Sequence, residues 1–140
     1  MGQAHAIDST LMVAIVDDDM GVCAGMARLL RAAGMHVDTF GTAEELLAAP
    51  QLDSLDGLVL DVRLPGMSGL ELQRQLLDRQ LMVPIVFVSA NDDPKTRREA
   101  MRQGCAAFFG KTHPGHEVIE ALRTCANSHR HPGSADGSLA

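Results

Sequence analysis

The chain has 140 residues, 46% of them hydrophobic, and carries a formal net charge of −6. That length suits a single domain with a sizeable core, and the acidic balance argues against a general nucleic-acid-binding surface. No apolar run is long enough to span a membrane and the N-terminus lacks a signal-peptide pattern, so we expect a cytoplasmic protein with no membrane contact.

The first part of the chain predicts a buried strand followed by a helix. Residues 1–10 are mixed and small, which is typical of a frayed lead-in. The continuous apolar run Leu11–Val16 predicts a strand buried on both faces, and it ends in the three carboxylates Asp17–Asp19. Apolar residues at helical spacing predict a helix over Met20–Ala33, which Gly34 would cap at its C-terminus.

The next segment predicts two strands, each followed by a helix. Met35–Phe40, with polar interruptions, predicts an edge strand, and Thr42–Glu45 matches a capping box that opens a short helix. Leu58–Leu60 predicts a fully buried strand that stops at the carboxylate Asp61. After a Pro-Gly loop, Ser68–Glu71 is another capping box, and its helix is predicted to end at about residue 79.

The fourth and fifth predicted strands also end at polar residues. Ile85–Val88 is a fully apolar strand that ends at Ser89, and Asp93-Pro94 then opens a helix that runs to about residue 103. Cys105–Phe109 predicts the fifth strand, which ends at Gly110 and Lys111.

The last helix is predicted over residues 115–127. Residues 128–140 are rich in Gly, Ser and Pro without periodicity, which predicts a flexible tail or linker. The folded domain is therefore placed at residues 11–127. Five strands that alternate with five helices predict an α/β domain with a parallel sheet and right-handed crossovers.

Polar side chains stand at the ends of four predicted strands, and they are Asp17 and Asp18, Asp61, Ser89, and Lys111. Strands of a parallel sheet end at the same edge, so these side chains can converge on one crevice. Each of them alone is as well explained as a strand terminus or a solvated loop residue. Their joint placement favours a functional site.

The carboxylates of this set would repel one another and raise each other's pKa. A hard divalent cation such as Mg²⁺ relieves this repulsion, because it binds carboxylate oxygens as ligands. A carboxylate can also attack phosphorus and form an aspartyl phosphate. Phosphoryl transfer needs groups that neutralise charge on the phosphoryl oxygens, and Mg²⁺, Lys111 and the Ser89 hydroxyl are groups of this type.

Four segments match a known family in order and spacing: Val16–Asp19, Leu60–Gly69, Val88–Ala90 and the strand end at Lys111. Over about residues 11–126, the sequence resembles the receiver domain of bacterial two-component response regulators. Among these, it is most similar to receivers attached to LuxR-type helix-turn-helix output domains. The resemblance implies a flavodoxin-like, doubly wound sheet with strand order 2-1-3-4-5 and helices on both faces.

The resemblance also implies roles for the strand-end residues. Asp61 would be the phosphoacceptor and would take a phosphoryl group from the phosphohistidine of a sensor histidine kinase. Asp18, Asp61 and the backbone carbonyl of Arg63 would bind Mg²⁺ directly, and Asp17 would hold the ion largely through water. Lys111 would pair with the phosphoryl oxygens.

Ser89 and Phe108 are the switch residues that the resemblance implies. Ser89 would move to hydrogen-bond the phosphate, and Phe108 would swing inward, changing the face formed by the fourth helix, the fifth strand and the fifth helix. Such a chain is a phosphoacceptor and not an enzyme beyond slow self-dephosphorylation. Its expected partners are the kinase and, on phosphorylation, a second copy, with DNA bound for transcription regulation only through an output domain absent from this chain.

Two positions depart from the family pattern. Ser89 replaces the commoner Thr, which keeps the hydroxyl. Thr112 follows Lys111 where the family usually has a proline after a cis bond. A cis bond before a residue other than proline costs about 2.5–4 kcal/mol, so we predict a trans bond, with Lys111 still reaching Asp61 through its flexible stem.

Two other functions stay open at this point, and the sequence argues against a third. A degenerate receiver that no longer takes phosphate would be a phosphorylation-independent interaction module. A haloacid-dehalogenase-type phosphatase also uses an aspartyl nucleophile, but that nucleophile lies on the first strand and an acidic pair follows its lysine. A flavodoxin-like nucleotide site would need a glycine- or Ser/Thr-rich phosphate loop after the first strand.

The remaining reactive groups favour structural or solvated interpretations. The three cysteines Cys23, Cys105 and Cys125 are widely spaced among apolar residues, so we expect buried free thiols. A histidine cluster near the end of the chain is expected to be solvated and not to bind a metal; it comprises His113, His116, His129 and His131. A basic helix face is also expected to be solvated; it comprises Arg97, Arg98 and Arg102.

Overall fold

The computed structural model describes residues 10–131, whose strands form one sheet with helices on both faces. The strands are β1 Met12–Val16, β2 His36–Phe40, β3 Gly57–Leu60, β4 Ile85–Val88 and β5 Ala107–Phe109. Their order across the sheet is β2-β1-β3-β4-β5, and every pairing is parallel. The predicted α/β fold with strand order 2-1-3-4-5 is confirmed.

The helices divide between the two faces of the sheet. They are α1 Met20–Ala32, α2 Ala43–Leu47, α3 Gly69–Asp78, α4 Pro94–Arg102 and α5 Gly115–Arg130, with a 3-10 turn at Leu52–Ser54. Helices α1 and α5 share one apolar cluster with alternate residues of the central strands, and α2, α3 and α4 share the other cluster. Because both faces of β1, β3 and β4 are covered, their sequences are continuous apolar runs.

The backbone ladder continues one residue past three of the strands. Asp17, Asp61 and Ser89 each donate their N–H to the last carbonyl of a neighbouring strand, at 3.0 Å in each case. The residues that follow β1, β3 and β4 are therefore aligned at one edge of the sheet.

Helix starts largely follow the predicted caps. Ser68 and Glu71 form a complete capping box, in which each side chain accepts the other residue's N–H. At Thr42 only half of the predicted box forms. The Thr42 hydroxyl accepts the N–H of Glu45, but the Glu45 carboxylate accepts the N–H of Gly41 at 3.0 Å.

Two predicted boundaries are wrong. The fifth strand begins later than predicted, because Cys105 donates its N–H to the Ala100 carbonyl and so closes α4, after a left-handed Gly104 at φ 97°. Helix α5 continues to Arg130 instead of ending at residue 127, and the Arg130 side chain donates to the carbonyl of Thr10. That contact anchors the last helical turn to the start of the sheet.

Residues 1–9 of the predicted lead-in and residues 132–140 of the predicted tail lie outside the described part of the chain. Within residues 10–131, no helix has the length and apolar character needed to cross a membrane. The three cysteines are free, with Cys23 and Cys105 buried and Cys125 half-buried. Burial raises the pKa of each thiol, so the thiols stay protonated near neutral pH.

Candidate functional site

Asp61 follows β3 directly and is only 6% exposed. Its backbone is pressed against the start of α3, where Gly69 donates its N–H to the Val62 carbonyl at 2.8 Å. A Cβ atom at Gly69 would stand 2.1 Å from the Asp61 carbonyl oxygen, so only glycine permits this approach. The sequence motif contains Gly69, but only the structure shows why it is needed.

Three donors hold the Asp61 carboxylate in place. Oδ1 accepts the Ser89 hydroxyl at 2.8 Å and the Arg63 N–H at 3.2 Å, and Oδ2 accepts the Lys111 ammonium at 3.0 Å. Ser89 is fully buried, and its hydroxyl oxygen accepts the N–H of Asn91 at 3.1 Å, which fixes the hydroxyl direction. Sequence reasoning missed Asn91, because it acts through its backbone and no residue-type signal marks it.

The aspartates after β1 differ in their surroundings. Asp17 is 6% exposed, and both of its oxygens are engaged. Its Oδ1 accepts the Asp19 N–H at 2.9 Å, and its Oδ2 lies 3.0 Å from the Lys111 ammonium. Asp18 is exposed, and Asp19 caps α1 by accepting the N–H of Val22.

An open crevice of about 820 Å³ lies above this edge of the sheet. Asp18, Asp61 and Lys111 line it, together with Arg63 and Asn91. The predicted convergence of the strand-end side chains is therefore confirmed as geometry. Their chemical roles, including that of the Arg63 backbone carbonyl, stay predictions.

The carboxylate cluster fits a hard cation. One oxygen from each of Asp17, Asp18 and Asp61 lies within 4.8 Å of the other two. Two oxygens bound to one Mg²⁺ at about 2.1 Å lie about 3.0 Å apart when adjacent and about 4.2 Å apart when opposite, so bound carboxylates would move together by roughly 2 Å or less. Three carboxylates facing the single ammonium of Lys111 also leave surplus negative charge, so the donor set fits Mg²⁺.

Burial and crowding shift two of the charged groups. Burial raises the pKa of the Asp17 carboxyl above its ordinary value and the charge of Asp61 adds to this, while hydrogen bonds from Asp19 and Lys111 oppose it. Burial alone would lower the pKa of Lys111, but its hydrogen bonds to Asp17 and Asp61 and their charges outweigh burial and raise it. Lys111 is therefore a fixed positive charge near neutral pH.

Phe108 lies on β5 with its ring inward and is 7% exposed. It stacks on Phe87 of β4, with ring centroids 5.4 Å apart and an interplanar angle of 27°. In the same arrangement the Ser89 hydroxyl faces Asp61. The expected inward swing of Phe108 stays a prediction, because this arrangement shows the ring in one position only.

The bond between Lys111 and Thr112 is trans, as predicted, and no cis peptide bond occurs in residues 10–131. Lys111 nevertheless lies 3.0 Å from a carboxylate oxygen of both Asp17 and Asp61. The predicted reach of the lysine is therefore confirmed.

The histidine cluster is exposed, and none of the four belongs to a potential metal-binding group in the part of the chain that the structure describes. The prediction of a solvated basic face is wrong for Arg97. That side chain is half-buried because its guanidinium packs on Phe108 and bonds its carbonyl, whereas Arg98 is exposed.

Comparisons with known proteins give a consistent result. Residues 13–123 match the response regulator receiver domain family. The chain is 34% identical over 122 residues to Response regulator protein TodT of Pseudomonas putida, and 33% identical over 129 residues to Nodulation protein W of Bradyrhizobium diazoefficiens. These matches cover 87% and 92% of this chain but 54% and 57% of those proteins, so the chain spans about half the length of the curated relatives it matches.

The solved structure of the response regulator StyR has a TM-score of 0.81 against this chain and is 35% identical, covering 93% of this chain and 66% of that one. The closer similarity to LuxR-type regulators stays a prediction. The family match begins in β1 and ends in α5, and it therefore includes every strand of the sheet. This chain belongs to the receiver domain family of response regulators.

Proposed function

We propose that this domain is a phosphoacceptor in a two-component phosphorelay, in which Asp61 takes a phosphoryl group from the phosphohistidine of a sensor histidine kinase. The observation that carries the proposal is the Asp61 carboxylate, which is buried, held by Ser89 and Lys111, and open to a crevice beside Asp18. Crowding of like charges in a cleft is typical of a functional site and costs stability where no ligand is bound.

In the proposed transfer, an Asp61 oxygen attacks phosphorus while the phosphorus–nitrogen bond to the donor histidine breaks. The electron pair of that bond stays on the imidazole nitrogen, and Asp61 attacks as an anion, so no proton has to leave it. Lys111, 3.0 Å from Asp61, and the Ser89 hydroxyl, at 2.8 Å, are close enough to pass their hydrogen bonds to phosphoryl oxygens.

The acidic cluster would hold Mg²⁺ through Asp18, Asp61 and the backbone carbonyl of Arg63. Bound there, the ion offsets charge on the phosphoryl oxygens. Asp17 already accepts the Asp19 N–H and the Lys111 ammonium, which supports its indirect role through water.

The output of the switch would pass through the face formed by α4, β5 and α5. We propose homodimerisation on phosphorylation, a cytoplasmic location, and no enzymatic activity beyond slow self-dephosphorylation. The relatives are about twice as long as the matched region, which supports an output domain elsewhere in a full regulator, and DNA would be bound only through such a domain.

The two alternative functions have less support. A phosphorylation-independent interaction module has no need of an intact acidic cluster, yet all three carboxylates are present here. A haloacid-dehalogenase-type phosphatase would need an acidic pair after Lys111, and the next acidic residue is Glu117.

Labelling by acetyl phosphate tests the proposal. Intact-mass measurement should show one phosphate added in the presence of Mg²⁺ and none in EDTA. Failure of both acetyl phosphate and a phosphorylated kinase to label the protein would favour the interaction module. Steady turnover of a generic phosphomonoester would favour the phosphatase.

A further inference from the structure

Arg97 contacts Phe108 in two independent ways. Its Nη1 donates to the Phe108 backbone carbonyl at 2.9 Å, and its guanidinium carbon lies 4.8 Å from the centroid of the Phe108 ring. The first contact fixes the guanidinium on the edge of β5, and the second places a cation over the ring face, which is an attractive arrangement. An arginine with both contacts is better ordered than a solvated one.

The Phe108 ring is also held from β4, through its stacking on Phe87. Phe87 is fully buried, so this aromatic partner belongs to the core and not to the crevice. The two groups that hold the ring, Phe87 and Arg97, are absent from the residues that line the crevice above Asp61. Their hold on the ring therefore does not require a ligand at Asp61.

The helix that carries Arg97 is fixed by its own polar contacts. Gln73 of α3 is 2% exposed and donates to the Ala100 carbonyl of α4 at 3.0 Å. Gln103, which follows α4, donates to the Gln73 amide oxygen at 2.7 Å and accepts from Arg74 at 3.1 Å. A buried amide with its polar groups satisfied specifies one packing of two helices, so α4 presents Arg97 to β5 from a defined position.

We propose that Arg97 is a positioning residue that holds Phe108 inward whether or not Asp61 carries a phosphoryl group. In this receiver the ring is then a fixed support and does not make the inward swing that the family resemblance implies. Phosphorylation would act on the face of α4, β5 and α5 through Ser89 and the loop after β4 instead. The second half of this inference rests on the proposed function, whereas the hold of Arg97 on the ring does not.

Fluorine NMR on the full chain tests the inference. The chain has four phenylalanines and no tryptophan or tyrosine, so labelling with 4-fluorophenylalanine gives one resonance per phenylalanine, and Phe108→Leu assigns the one of interest. Arg97→Gln removes the cation and its fork of donors. Arg98→Gln makes the same change of charge on an exposed neighbour and serves as the matched control.

Without any phosphoryl mimic, Arg97→Gln should shift the Phe108 resonance toward that of an exposed fluorophenylalanine, and Arg98→Gln should leave it at the wild-type position. Addition of Mg²⁺ and beryllofluoride should leave the wild-type Phe108 resonance in place and should move it in Arg97→Gln. The other three resonances report whether each variant is folded. Should Arg97→Gln unfold, Arg97→Lys, which keeps the charge but loses the planar fork, replaces it with the same expected shift.

An unshifted Phe108 resonance in the Arg97 variant would overturn the hold. A wild-type resonance that moves on addition of beryllofluoride as far as it does in Arg97→Gln would overturn the fixed support. Failure of the proposed function is distinguishable, because it would appear as a lack of acetyl phosphate labelling, while the comparison of unliganded wild type and Arg97→Gln would still decide the role of Arg97.

Discussion

Strand β3 has a buried aspartate at each end, Asp56 before it and Asp61 after it, and the two are almost equally exposed, at 7% and 6%. Asp56 accepts the Met12 N–H at 2.8 Å and lies 3.6 Å from the Arg130 guanidinium. Asp61 instead lies beside two further carboxylates and opens on a crevice. Two aspartates that flank the same strand and are about equally buried thus have different environments.

The difference comes from the direction of the strand. At the amino edge of the sheet the first strand and the last helix close over Asp56, and both of its partners are donors. At the carboxyl edge the loops part and leave the crevice where parallel sheets bind ligands. Burial alone does not separate a structural carboxylate from a functional one, but the charge of the neighbours does.

A pair of isosteric variants tests most directly whether the two aspartates have different roles. Asp61→Asn should abolish labelling by acetyl phosphate, because an amide does not replace the carboxylate nucleophile. Asp56→Asn should label as the wild type does, since Asp56 lies at the opposite edge of the sheet. Intact-mass measurement after identical exposure compares the two. Undiminished labelling of Asp61→Asn, or loss of label in a folded Asp56→Asn, would contradict the assignment of roles.

Mg²⁺ should stabilise the protein by relieving the repulsion among Asp17, Asp18 and Asp61 at the carboxyl edge of the sheet, and it should have no effect through Asp56. At a concentration 100 times its dissociation constant, a ligand specific for the folded state adds about 2.7 kcal/mol to the free energy of unfolding. Asp18→Ala should lose most of this effect, and Asp56→Asn should keep it. Thermal unfolding across a Mg²⁺ titration measures all three proteins. A melting temperature that millimolar Mg²⁺ moves in neither wild type nor Asp56→Asn would count against the metal site.

Truncation to alanine should affect stability in the opposite order to activity. Asp56→Ala leaves the Met12 N–H without its acceptor, which should cost about 1–3 kcal/mol. Asp61→Ala should cost less in Mg²⁺-free buffer, because it also removes a charge that repels Asp17 and Asp18. Urea unfolding in EDTA compares the two variants. If Asp61→Ala is the more destabilised variant, the hydrogen bonds to Asp61 outweigh the repulsion from Asp17 and Asp18. That result would contradict the view that Asp56 stabilises the fold more than Asp61 does.

The sequence alone predicts all five strands and the edge at which the site forms. Strands buried on both faces are continuous apolar runs, and each run stops where a polar residue emerges at the carboxyl edge, as at Asp61 and Ser89. Because the strands pair in parallel, these ends lie at the same edge of the sheet, and the sequence pattern is enough to predict this. Local chemistry also predicts the capping box at Ser68, because its two hydrogen bonds lie within one helical turn.

What the sequence leaves out depends on contacts between distant segments. The role of Asp56 is hidden because its partners Met12 and Arg130 lie far away along the chain. Helix α5 extends beyond its predicted end at residue 127 for the same reason, since a contact between Arg130 and Thr10 anchors its last turn and no local signal marks it. Arg97 lies in a basic and polar stretch that predicts a solvated helix face. Only the structure shows that its guanidinium packs on the Phe108 ring.

Ionisation of Asp17 should change the stability of the protein only slightly. Burial and the charge of Asp61 raise the pKa of this carboxyl, and hydrogen bonds from Asp19 and Lys111 only partly oppose the shift. The folded state therefore binds this proton more tightly than the unfolded chain does. The contribution of Asp17 to stability is fully present below the ordinary aspartate pKa of about 3.9 and is lost as pH rises through the raised value. Above that window the ionised carboxyl makes the folded state less stable.

Asp17→Asn removes this ionisation and keeps the shape of the side chain. In EDTA near neutral pH the variant should be slightly more stable than the wild type, and its advantage should shrink as the pH falls toward 4, where the wild-type carboxyl regains its proton. With saturating Mg²⁺ the order should reverse, because the ion compensates the charge in the wild type. Urea unfolding from acid to neutral pH measures both trends. A variant that is less stable than the wild type at every pH in EDTA would show that the bond from Lys111 to Asp17 outweighs burial, and that the carboxyl edge is as well satisfied as the amino edge.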